Sequence, residues 1–138
     1  MDGAFGEFDA LIDAQLAADR SARARVKRVI RSILEDPGAA HEPGRLAERA
    51  AMSARTLSRV FRRETGMSPA RFVEQARLRF ARSLIEHSGH RLERIAACAG
   101  FRSAERMRRA FHRGLGASPA QVRGEITRAQ SGCGTTRR

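Results

Sequence analysis

Neither tryptophan nor tyrosine occurs in the chain, and its only aromatic residues besides histidine are seven phenylalanines. Readers of single-stranded nucleic acid stack bases on exposed aromatic rings. Phenylalanines set mostly at apolar helical positions offer no such platform. Long apolar runs are also missing, since nothing approaches the ~20 residues that a membrane-spanning helix needs. The acidic opening MDGAFGEFDA lacks the positive start of a secretory signal. Cysteine is scarce: Cys98 lies inside an apolar helical pattern and Cys133 in a glycine-rich tail. That usage fits a reducing cytoplasm better than a disulfide scaffold. The expectation is a soluble, cytoplasmic protein. Catalytic signatures are missing as well: there is no phosphate-cradling glycine loop, no Cys-x-x-Cys pair and no nucleophile elbow. His87, His90 and Cys98 lie near one another in sequence, but no fourth ligand stands at zinc-like spacing. Neither an enzyme nor a cofactor or metal site is expected.

Lysine is the last scarcity and points to what is abundant. Of 27 basic residues all but Lys27 are arginine, set against 15 acidic ones, for a formal charge of +12. Such a balance favours a polyanionic partner, nucleic acid first and an anionic membrane surface second. Arginine's planar fork suits phosphates and guanine edges. Coding bias would account for arginine's excess over lysine. It would not account for where the arginines sit.

At 138 residues the chain has room for one compact domain or two very small ones sharing an interface. Residues 1–19 hold five acids and no base, so the remainder carries +17. Phe5, Phe8, Leu11, Ile12 and Leu16 repeat there at helical steps, predicting an amphipathic helix. Such a helix either docks on its own domain, makes a dimer contact or forms a linker. A second helix is predicted from Ser21, stopped by Pro37-Gly38. A short helix RLAERAA and a longer one capped by Ser53 follow, closing a first unit over residues 20–66. Gly66, Ser68 and Pro69 punctuate a stop and restart. The helix from Pro69 to about His87 makes a linker over residues 67–88. A second unit occupies residues 89–128, and residues 129–138 have no apolar face and should be disordered.

The two units are copies. Pairing Ser53 with Ser103 and reading on without a gap matches Arg59 with Arg109, Phe61 with Phe111, Arg63 with Arg113, Gly66 with Gly116, and Ser68-Pro69 with Ser118-Pro119. Upstream, Leu46 pairs with Ile95 if the second turn has one extra residue. Each copy reads short helix, tight turn, longer helix, glycine stop, Ser-Pro restart, which is the outline of a helix-turn-helix. A solenoid would need at least three repeats. In the first long helix Leu57, Val60 and Phe61 face inward, leaving Arg55, Arg59, Arg62 and Arg63 outward. In the second, Met107, Ala110 and Phe111 face inward, leaving Arg102, Glu105, Arg109 and Arg113 outward with Arg106 and Arg108 on the flanks. A merely solvated face would interleave both signs.

The segments LAERAAMSARTLSRVFRRETGMSP, ARLRFARSLI and IAACAGFRSAERMRRAFHRGLGASP resemble the DNA-binding region of the AraC/XylS family of bacterial transcription regulators. The likeness covers roughly Val26 to Arg123, and GFRSAERMRRAF is similar to the subgroup carrying a glutamine-amidotransferase-like sensor domain. The resemblance implies an all-α fold of about seven helices, with two helix-turn-helix subdomains joined by a central linker helix, each placing a recognition helix in the major groove. It puts base-reading positions on Arg55, Ser58 and Arg59, then on Ala104, Glu105, Arg106, Arg108 and Arg109. Val122 stands where the family has an aromatic residue, which predicts looser packing of the last helix.

The resulting expectation is a sequence-specific regulator that binds double-stranded DNA at a bipartite operator. Arg59 and Arg109 are expected on guanines, with Arg55, Ser58 and Arg106 beside them, and Glu105 on cytosine or selecting against other bases. Arg62, Arg63, Arg102, Arg108 and Arg113 are expected on phosphates, with Ser68 and Ser118 at helix starts. RNA polymerase is a further expected partner, no membrane is, and the chain should be a monomer on DNA or a weak dimer. The alternative is an interaction protein that uses the acidic N-terminus and no longer reads DNA. Arginines on both outward faces argue against it.

Overall fold

The computed structural model describes residues 3–134. Among them it shows seven helices and no strand: α1 Gly3–Glu35, α2 Pro43–Ala50, α3 Ala54–Thr65, α4 Pro69–His87, α5 Leu92–Ala99, α6 Ala104–Leu115 and α7 Pro119–Gly134. The chain divides into two compact units, Met1–Ser32 with His41–Ala70, and Ile33–Ala40 with Arg71–Arg138.

In the first unit, Val26 and Val29 of α1, Leu46, Ala47 and Ala50 of α2, and Leu57, Val60 and Phe61 of α3 are buried. Fully burying a side chain the size of Phe61 contributes ~1.5–3 kcal/mol. Pro43 starts α2, where its missing N–H costs nothing. Ala51 ends α2 in the left-handed conformation, with φ 51°. The carbonyls left open there are taken by α1: Arg25 Nη1 donates to Ala50 O at 3.1 Å and to Ala51 O at 2.8 Å. Ser53 then caps α3, its hydroxyl accepting from the Thr56 N–H at 3.1 Å. Gly66 closes α3 at φ 75°, its N–H donating to Arg62 O at 2.8 Å.

The second unit repeats this plan on its own core. Leu78, Ala81 and Ile85 of α4 meet Ile95, Ala96 and Ala99 of α5, Met107, Ala110 and Phe111 of α6, and Val122 of α7. Val122 is 7% exposed, so the branched side chain in the aromatic's place is buried in this core. Gly100 ends α5 at φ 89°; a Cβ there would stand 2.8 Å from Arg77 Nε and 3.0 Å from Gly38 Cα. Arg77 is fixed by donating Nε to Pro37 O at 3.0 Å and Nη2 to Ala39 O at 3.1 Å. An arginine again ties down the carbonyls of a turn.

Three features differ from the sequence reading. The acidic segment, described from Gly3 onward, and the helix expected from Ser21 are one helix, Gly3–Glu35; residues 1–2 lie outside the described residues. Ala17, Ala18, Ala22 and Ala24 hold helix strongly, and no glycine or proline lies between Glu7 and Asp36. From Arg71 onward α4 belongs to the second unit, so the segment read as a linker supplies core residues. Finally, α7 runs to Gly134, past the expected start of a disordered tail at residue 129. No proline breaks its backbone ladder although the apolar face has ended. Residues 135–138 lie outside the described residues.

Candidate nucleic-acid interface

The inward stripe of α3 fixes which side chains remain outside. Arg55, Ser58, Arg59, Arg62 and Arg63 are all exposed on this one helix. Ser53 orders the first turn, where Arg55 sits, and Gly66 ends the helix soon after Arg62 and Arg63. Arg55, Arg59 and Arg62 have no ion pair or side-chain hydrogen bond among the described residues. Arg63 lies 3.9 Å from Glu64, but Glu64 is held at 3.1 Å by Arg23 of α1. Three arginines are thus left available to an external acceptor.

The outward face of α6 is organised differently. Arg102, Glu105, Arg106, Arg108, Arg109 and Arg113 are exposed, while Ala104 is half-buried. Ser103 caps the helix by accepting from the Arg106 N–H at 3.1 Å. Glu105 accepts from Arg108 twice, Nε at 3.0 Å and Nη2 at 2.7 Å, and from Arg109 Nε at 3.3 Å. The hydrogen bond from Arg108 holds the Glu105 carboxyl below its ordinary value; partial desolvation opposes this, and the charges of Arg108 and Arg109 reinforce it. The same bond raises Arg108 above the usual guanidinium value. Arg113 donates Nη2 to Glu74 Oε1 at 2.6 Å, which braces α6 on α4. Arg102 and Arg106 have no such partner among the described residues.

Ser68 and Ser118 each precede the first residue of a helix, and both are half-buried. At Ser118 the cap is reciprocal: its N–H donates to Gln121 Oε1 at 2.8 Å, and the Gln121 N–H donates to Ser118 Oγ at 3.1 Å. This Ser-x-x-Gln box is legible in sequence. The sequence reading had not used it, nor the partners Arg23, Glu74 and Gln121 that set the faces of the two helices. Arg55, Ser58, Arg59, Arg62 and Arg63 share one outer face of α3, and Glu105, Arg109 and Arg113 share one of α6 with Arg106 and Arg108 on its two flanks, whereas Arg102 precedes α6 and Ser68 and Ser118 stand at the starts of α4 and α7. Among the described residues no group of three metal-ligating side chains occurs, and no helix is long and apolar enough to cross a membrane.

A family model described as a helix-turn-helix domain matches residues 46–125, spanning both arginine-bearing helices. The chain belongs to this helix-turn-helix domain family, in its AraC type. It is 49% identical over 86 residues to the HTH-type transcriptional regulator Rv1931c of Mycobacterium tuberculosis, a match over 62% of this chain and 33% of that protein. With the HTH-type transcriptional activator RhaS of Escherichia fergusonii it shares 32% identity over 108 residues, 78% of this chain and 39% of that one. The chain therefore spans between a third and two fifths of the length of these relatives. Among solved structures, the DNA-binding domain of AdpA, a global transcriptional factor crystallised with a target DNA, matches with a TM-score of 0.73 at 36% identity, covering 77% of this chain and 95% of that one.

Proposed function

We propose that the chain is the double-stranded-DNA-reading part of a bacterial transcription regulator, laying α3 and α6 in the major groove at two unlike boxes of one operator. The observation that carries this reading is the repeat itself: two copies of one unit each turn an arginine-rich helix face outward. The likeness to a domain solved on its target DNA supports it.

Arg59 and Arg109 are assigned to guanine, whose O6 and N7 a guanidinium can bond together. Arg55, Ser58 and Arg106 contact neighbouring bases. Glu105 accepts from cytosine N4 and also sets the heads of Arg108 and Arg109. Arg62, Arg63, Arg102, Arg108 and Arg113 lie on phosphates, with Ser68 and Ser118 presenting the starts of α4 and α7. The similarity of GFRSAERMRRAF to regulators with an amidotransferase-like sensor extends the proposal to a cytoplasmic regulator of that subgroup that contacts RNA polymerase.

Selection of bound sites from random duplex DNA tests the reading. Arg59→Ala should relax preference in one box and Arg109→Ala in the other, each by ~1–3 kcal/mol, while Arg63→Ala weakens all sequences alike. If Arg59→Ala and Arg109→Ala degrade the same box, or neither alters preference, the assignment fails.

A further inference from the structure

We infer that α1 is a self-association surface on which a second copy of this chain docks antiparallel. Asp9, Asp13, Leu16, Arg20, Ala24, Lys27 and Arg31 follow one another at intervals of three and four residues. That spacing stacks them on one helix face. All seven are exposed, Leu16 with 51% of its surface open, and they lie away from Val26 and Val29, which enter the core. Asp9, Asp13, Lys27 and Arg31 have no ion pair or side-chain hydrogen bond among the described residues. The inference rests on the exposed face of α1, whose Leu16 and Arg20 also line a cleft with Arg23 and with Arg63 of α3.

Toward the C-terminus the face runs acid, acid, apolar, base, small, base, base. A copy laid antiparallel and centred on Arg20 sets Asp9 opposite Arg31, Asp13 opposite Lys27 and Leu16 opposite Ala24. Two-fold symmetry makes each contact twice. The two Arg20 side chains flank the axis, long enough to turn their heads to solvent. A parallel copy would oppose acid to acid and base to base. Duplex DNA is repelled by the acidic half, and an acidic protein surface by the same half. The occupant matched along the whole face is the face itself, reversed.

Sedimentation equilibrium of the full chain, with a charge swap, tests this. At about 0.1 M salt the wild type should reach the dimer mass as concentration rises, and at about 1 M, where screening shortens from ~10 Å to ~3 Å, association should weaken at least about tenfold. Chain one carries Asp9→Arg with Asp13→Arg, and chain two carries Lys27→Glu with Arg31→Glu. Each alone should associate at least about tenfold more weakly at 0.1 M. Their equimolar mixture should recover the wild-type affinity as a heterodimer, which also certifies that both variants fold. A wild type that stays monomeric, a single variant that dimerises like the wild type, or a mixture that stays monomeric overturns the inference.

Discussion

Replacing Glu105 by glutamine separates two roles that its geometry combines. Its carboxylate takes two hydrogen bonds from Arg108, at 3.0 and 2.7 Å, and one from Arg109 at 3.3 Å. A DNA phosphate approaching Arg108 must therefore compete with an acid already in place. Glutamine keeps the length and one acceptor but removes the charge, so the phosphate contact assigned to Arg108, which Glu105 weakens in the wild type, is made in full. A phosphate contact restored in full steepens the log-log salt dependence of binding by up to ~0.9. Across a fourfold rise in salt that is an additional loss of up to about 3.5-fold, and random duplex should bind severalfold tighter at the low-salt end. The base opposite Glu105 should meanwhile lose contrast, because glutamine also offers donors to wrong bases. Fluorescence anisotropy on a selected and a scrambled duplex, each titrated across salt, reads both effects. The lowered pKa fixes the pH behaviour: a depressed carboxyl stays ionised above its ordinary value, and the brace is lost only as pH falls through the lowered one. The difference between wild type and Glu105→Gln should thus be constant from about pH 6 to about pH 8, where the carboxylate is fully charged. An unchanged salt slope together with unchanged contrast at every base would refute the reasoning.

Stability tests address the turns that aim the helices. Ala51→Gly should raise stability by ~0.5–1 kcal/mol in denaturant unfolding, because the left-handed backbone at φ 51° costs alanine ~1–2 kcal/mol and glycine's entropy returns only part of that; a lowered midpoint counts against it. Gly100→Ala should cost clearly more than Gly66→Ala, since both glycines have positive φ but only Gly100 would drive a Cβ to 2.8 Å from Arg77 Nε; equal costs would show that Arg77 yields freely. Arg25→Met should cost ~1.5–3 kcal/mol by unbonding the carbonyls of Ala50 and Ala51 from a charged donor; an effect under ~0.5 kcal/mol would mean water replaces it.

The parts legible in sequence were those written in local chemistry. Ser53 and Ser103 cap where a small hydroxyl residue precedes an apolar stripe, and both do so with their side chains accepting from the residue three ahead. Gly66 and Gly116 take the left-handed conformation that their place after a stripe required. Phe61 and Phe111 are fully buried because period and size leave them no other position. The inner face then determines the outer one, and the arginine-bearing residues follow from helical geometry. Ala51 is the counterexample. It occupies the left-handed position that glycine fills at 100, so the first turn carries no glycine signal, and the expected helix RLAERAA includes Ala51, one residue past the end of α2 at Ala50.

What was not legible depends on distant partners. The pairing of Arg113 with Glu74 joins residues 39 apart, and that of Arg23 with Glu64 joins residues 41 apart, so no local pattern announces either. These pairs nonetheless distinguish the two units: at the repeat position where α3 has Glu64, α6 has Gly114, whose Cβ would stand 2.5 Å from Leu78 Cδ1. The first unit has room for an acid that α1 answers, whereas the second closes its helix against α4 and takes its acid from there. A single duplicated pattern has thus been fitted to two different neighbours. The outward arginines survive that divergence in both copies, and Arg59 and Arg109, at one repeat position, make no ion pair or side-chain hydrogen bond to another helix among the described residues. Retention of the outer face while its supports change is what selection for a polyanion at both helices would leave, and it is the reason the two faces are read as working surfaces.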